Sequence, residues 1–163
     1  MRIRSLVIGS SLTALAAAGL VGSTASATPP SVPPPIPSPA PPPEASLDGP
    51  HNWHSNGIKL KISGDAVVRN FTLTYGPGVN SGWHRHPGLV MATVQSGSVY
   101  RTLPCQHRKR FGAGHAFVEV GPHFVENRGS VDAVLIITQI APAGTTGAAF
   151  REDLPAPNCH PKS

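Results

Sequence analysis

GVNSGWHRHPGLVMATVQSG, residues 78 to 97, carries two histidines one residue apart, then an apolar run that ends in a glycine turn. On an extended chain residues i and i+2 face the same way, so His84 and His86 project to one side and Arg85 to the other. Leu89 to Gln95 has the composition of a buried strand, and Gln95-Ser96-Gly97-Ser98 has the chemistry of a tight turn. Two imidazoles on one face are half of a metal-ligand set. The rest must come from elsewhere in the chain.

Outward from this stretch the same period recurs. Ile58, Leu60 and Ile62 alternate with Lys59, Lys61 and Ser63, the pattern of a half-buried strand. Phe71, Leu73 and Tyr75 repeat it and stop at Gly76-Pro77-Gly78. Further strands are expected at Leu89 to Gln95, Ser98 to Leu103, His115 to Val120, His123 to Glu126 and Ala133 to Ile140. No segment here carries a long, capped helical pattern. Short strands broken by frequent turns predict an all-β domain over residues 51–141, a small antiparallel jelly-roll barrel that limits exposed sheet edges.

The ends of the chain read differently. Arg2 and Arg4, the apolar stretch Leu6 to Val21 and Ala25-Ser26-Ala27 have the order of a secretory signal peptide, residues 1–27, with an uncleaved anchor as the alternative. Residues 28–50, TPPSVPPPIPSPAPPPEASLDGP, are so rich in proline that they predict an extended, semi-rigid spacer. Residues 142–163 form a turn-rich extension expected to lie across the surface. In an exported chain the two cysteines, Cys105 and Cys159, are expected to pair and tie that extension back, two free thiols being the alternative.

Charge says little about partners. The chain has 13 basic and 8 acidic residues, and loss of Arg2 and Arg4 leaves a net charge of +3. Arg108-Lys109-Arg110 is the one dense basic run; without interleaved aromatics it reads as a solvated loop, and no nucleic-acid partner is expected. The mature form is expected to have no integral membrane span. Phosphate-binding glycine loops, a G-x-S-x-G nucleophile elbow and an H-E-x-x-H helix are all missing from the sequence.

With both halves in view, the chain resembles a cupin. Gly78, the five residues VNSGW, His84-Arg85-His86 and Gly97 follow the first cupin signature, and Gly114 with HAFVE, then His123 and Asn127, follow the second. It is similar to a group of short secreted actinobacterial cupin proteins with a WH-x-HPG pattern. The resemblance implies that His84, His86 and His123 bind a divalent transition metal, whether iron, manganese, zinc, nickel or copper. Imidazole nitrogen suits these ions. It also implies a small-molecule ligand and a homodimer formed through a sheet edge. The alternating register makes Asn127 a turn residue or a support for the ligands rather than a ligand itself.

The usual cupin glutamate should fall at Leu89 or Val90, and both are aliphatic. The expected site is therefore one negative charge short and needs either weaker metal binding or an anionic substrate. Glu119 and Glu126 offer acid–base groups, but nothing in the sequence places them in a pocket. Two functions remain open: a secreted, metal-dependent oxidoreductase acting on a small molecule, or a cupin that binds metal or ligand without turnover. A purely structural barrel comes third.

Overall fold

A computed structural model describes residues 25–159, so residues 1–24, most of the expected signal peptide, lie outside the described residues. The strands are β1 (Ile36–Ser38), β2 (Glu44–Leu47), β3 (His51–Ser55), β4 (Ile58–Ile62) and β5 (Ala66–Tyr75). They continue with β6 (His84–Arg85), β7 (Leu89–Ser96), β8 (Ser98–Thr102), β9 (Lys109–Gly112) and β10 (Ala116–Glu119). β11 (Phe124–Glu126), β12 (Ala133–Pro142) and β13 (Glu152–Asp153) complete the set, with a 3-10 turn at Gly147–Phe150 between the last two.

Every strand pairing is antiparallel. The main sheet runs β1-β5-β12-β7-β10, with β2 also on β5, and a smaller sheet β11-β8-β9 faces it. Alternation explains the arrangement. On β12, Ala133, Leu135, Ile137, Gln139 and Ala141 are buried while the residues between them are more open. Val90, Ala92 and Val94 of β7 and Phe117 of β10 join them, and Val99, Phe111 and Val125 close the core from the facing sheet. This is an all-β antiparallel jelly-roll architecture, as the strand pattern predicts.

Turn chemistry sets the register. Gly97 links β7 to β8 at φ 69°, and a Cβ there would run into the carbonyl of Asp132. Between β3 and β4, Asn56 and Gly57 both have positive φ, 47° and 81°, the Asn-Gly pair of a type I′ hairpin. Among the described residues that hairpin is a two-stranded sheet of its own; Leu60 and Ile62 are half-buried between exposed lysines, as the alternation predicts, while Ile58 beside the turn is exposed.

Three expectations need correction. Residues 28–50 are not a free spacer: β1 and β2 lie along β5, with Ile36 opposite Thr74 and Glu44 opposite Arg69. Proline lacks an N–H, yet an edge strand needs partners on one side only, so Pro37 is accommodated opposite Leu73. Thr28 adds an anchor, its Oγ1 accepting from Trp83 N at 3.0 Å. The basic run is not a loop, because Lys109 and Arg110 lie in β9; their side chains stay exposed while Phe111 turns inward. The C-terminal extension is more than a surface cover, since Phe150 is buried and β13 pairs with β6. The disulfide Cys105–Cys159 does tie it back.

Candidate metal centre

His84 and His123 stand directly opposite each other. His84 N donates to His123 O at 3.0 Å, and His123 N donates to His84 O at 2.9 Å. Their rings lie 4.1 Å apart between centroids, and the His86 ring is 4.9 Å from His84 and 5.4 Å from His123. The three histidines that the sequence singles out therefore converge. Arg85 points outward and pairs with Glu152 at 2.6 Å, and His115 is exposed.

The ring orientations are set by main-chain carbonyls. Nδ1 of His84 donates to Gly82 O at 3.0 Å, Nδ1 of His86 to Phe150 O at 2.8 Å and Nδ1 of His123 to Gly121 O at 2.9 Å. A carbonyl can only accept, so each neutral ring carries its proton on Nδ1 and leaves a lone pair on Nε2. Two of the three acceptors come from turns next to their own histidine. The third, Phe150 O, belongs to the 3-10 turn, and it also accepts from Gln139 Nε2 at 2.9 Å.

Glu119 completes the cluster. Its Oε2 lies 3.2 Å from His86 Nε2 and 3.4 Å from His123 Nε2. One ligand atom from each of His84, His86, Glu119 and His123 falls within 4.8 Å of the others. Neither His86 Nε2 nor His123 Nε2, both buried, has a hydrogen-bond donor or acceptor partner among the described residues. A lone pair facing a carboxylate is repulsive unless a proton or cation lies between them. The donor set, three imidazole nitrogens and one carboxylate oxygen, fits a divalent transition metal.

Electrostatics agrees with that state. Burial, then the neighbouring His123, Arg151 and His86, push the His84 imidazole down from 6.5 to about 3, against the pull of the Gly82 carbonyl. It is neutral at neutral pH. Burial pushes the Glu119 carboxyl up, but hydrogen bonds and charge from His123 and His86, which require a proton on the facing Nε2, outweigh this and hold it well below the usual carboxylate range; a cation between those nitrogens and the carboxylate acts in the same direction. The carboxylate is ionised. Tyr75, on the same cavity wall, is pushed upward by burial and by Glu119 and stays a neutral phenol.

Glu119 overturns the expectation of a site one charge short. In the antiparallel register Glu119 of β10 is the direct partner of Val90 on β7. The carboxylate missing at position 90 is thus supplied to the same face by the adjoining strand. A signal was present in the sequence: Phe117 and Glu119 share a face at strand period, and Phe117 has the character of a core residue. Glu126 lies outside the cluster and pairs with Arg128 at 3.4 Å. Asn127 is buried in a turn, donating to Tyr75 O and Val131 O, each at 2.8 Å.

The cluster opens into a cavity of about 440 Å³. Phe71, Leu73, Val90 and Ile137 form an apolar wall, and prolines of the N-terminal segment, Pro30 and Pro37 among them, line the cavity as well. Arg69, Gln139, Arg151, Asp153 and Tyr75 supply its polar lining beyond the cluster.

No protein-family model and no curated protein sequence matches the chain. Among solved structures, an oxalate oxidase is similar at 21% identity over 47% of this chain and 46% of its own, with a TM-score of 0.40. The alignment thus spans less than half of that enzyme. An uncharacterized protein with a double-stranded β-helix domain from Klebsiella pneumoniae matches at 21% identity, covering 53% of this chain and 73% of that one, TM-score 0.44. A Cupin 2 conserved barrel domain protein from Salinispora arenicola matches at 20% identity, covering 47% and 64%, TM-score 0.41. These neighbours are cupin and double-stranded β-helix proteins.

Proposed function

We propose that this chain is a secreted protein that holds one divalent transition metal through Nε2 of His84, His86 and His123 and a carboxylate oxygen of Glu119. The observation that carries this reading is the set of three Nδ1 atoms committed to carbonyls, which leaves the Nε2 lone pairs gathered around one ionised carboxylate. Such a constellation is costly as a metal-free arrangement and stable around a cation. The disulfide is compatible with an oxidising compartment.

We further infer a metal-dependent oxidoreductase acting on a small molecule. A metal bound there supplies a Lewis acid and, if redox-active, an electron donor or acceptor. The chain's own residues bind and orient: the apolar wall excludes water from the ligand body, and the carbonyl-anchored histidines resist displacement as a ligand enters. One observation favours a second reading, a binding protein without turnover. Five prolines of the N-terminal segment, Pro30, Pro34, Pro35, Pro37 and Pro42, line the cavity, and a rigid wall of that kind suits retention of a ligand.

Elemental mass spectrometry on untagged mature protein tests the metal reading. Close to one equivalent of a single transition metal is expected. The His84→Ala/His86→Ala double variant should lose it, and Glu119→Gln should bind it at least roughly tenfold more weakly. A chain that holds no metal as purified, and takes none up from added divalent ions, overturns the reading.

A further inference from the structure

We propose that Arg69 anchors the carboxylate of a small, otherwise apolar ligand whose other end reaches the His84, His86, Glu119 and His123 cluster. This deepens the metal-site reading and rests on it for the far end of the ligand. The register places the two ends. Arg69 of β5 is opposite Gln139 of β12, Gln139 is opposite Val90 of β7, and Val90 is opposite Glu119 of β10. One rung of the main sheet therefore turns a cation, an amide, an aliphatic group and a carboxylate toward the same cavity. Three strand spacings put the Cα atoms of Arg69 and Glu119 no more than about 15 Å apart. After both side chains reach inward, the remaining gap suits a molecule of a few carbon atoms.

Arg69 is held but not neutralised. Its guanidinium carbon lies 3.9 Å from the Phe150 ring centroid and 5.3 Å from that of Phe71. Its Nε is buried and bonded to nothing among the described residues. Glu44 attracts it from β2, yet the two form no ion pair. The other cavity-lining arginine is already engaged: Arg151 pairs with Asp153 at 2.7 Å and donates to Ser81 O. Arg69 is thus the cavity's free cation among the described residues.

An unpaired guanidinium in a partly desolvated wall is costly, and an anion would offset that cost. With the Phe150 ring against one face, donors remain along the guanidinium edge, where a planar oxyanion accepts in bidentate fashion. A carboxylate matches a single free cation. A phosphate dianion would leave one charge unpaired among Phe71, Leu73 and Ile137, which instead suit an apolar body.

Calorimetric titration of the mature chain with acetate, butyrate and hexanoate, each against its primary amide, tests the assignment. Hexanoate should bind most tightly, and each carboxylate should bind roughly tenfold tighter than its amide. Arg69→Gln should abolish that preference, Arg69→Lys should keep part of it, and neither should change the metal content. A carboxylate could also bind the metal directly, so the series is repeated on the His84→Ala/His86→Ala variant. A preference that survives there and disappears in Arg69→Gln supports Arg69 even if the metal reading fails. Equal binding of acid and amide by the wild-type chain, no binding of either, or a preference unchanged in Arg69→Lys and Arg69→Gln overturns the proposal. So does a preference lost only in the histidine variant. If Arg69→Gln does not fold, the partial loss expected in Arg69→Lys carries the test alone.

Discussion

At the scale of single residues the centre is a problem in proton placement. Three carbonyls decide which nitrogen of each imidazole is protonated, and one carboxylate collects the lone pairs that remain. This has a consequence for acid stability. His84 takes up a proton near 6.5 when unfolded but only near 3 when folded. Between those values the unfolded chain binds more protons, so stability falls as pH falls through that window. Glu119 adds in the same direction, because its folded value lies below its ordinary 4.5 and stability is lost as pH drops under that figure. Urea midpoints of the metal-free protein should therefore decline from pH 7 to pH 4, and His84→Gln should flatten the decline above pH 5. An equal slope in the two proteins would show that His84 is not the source. His84 and His86 were legible from their spacing, and His123 from the resemblance to the second cupin signature. For Glu119 strand period gives only the face it shares with Phe117; its place beside the histidines depends on a cross-strand partner, Val90, some thirty residues earlier in the chain.

At the scale of elements, strands that alternate cleanly were readable, and those held by neighbours were not. β5, β7, β10 and β12 carry their core face in their own side chains. β1 and β2 do not: what places them is the open edge of β5, a property of another segment. The same is true of the 3-10 turn at Gly147–Phe150, whose carbonyl orients His86 and whose ring backs Arg69. Turns offer a test of how register is held. Gly97 and Gly114 both have positive φ, 69° and 80°, but only Gly97 would press a Cβ against backbone, while Gly114 faces open space. Gly114→Ala should cost about 1 kcal/mol through conformation alone, and Gly97→Ala about 2–4 kcal/mol with the added clash. Urea denaturation of the two variants measures both, and equal losses would deny the close approach of β7–β8 to Asp132.

At the scale of the whole molecule the disulfide closes a loop of 54 residues in sequence separation and secures a tail with little regular structure. In the chain-entropy account that closure is worth about 4 kcal/mol. Replacing Cys105 and Cys159 together by serine should lower the unfolding free energy by roughly 2–4 kcal/mol. Loss of less than about half a kcal/mol would mean that the tail is held by its other contacts, such as Leu154 N to Trp83 O at 2.8 Å. The sequence by itself carried the all-β class, the His84 and His86 pair and the cysteine pair, because side-chain period and spacing are local properties, and its resemblance to the second cupin signature added His123. The tertiary structure decided that Glu119 joins the histidines, that the prolines line the cavity and that Arg69 faces it. Each of these depends on which strand lies beside which, and pairing between distant segments is set by the closure of the barrel rather than by any one segment's own pattern.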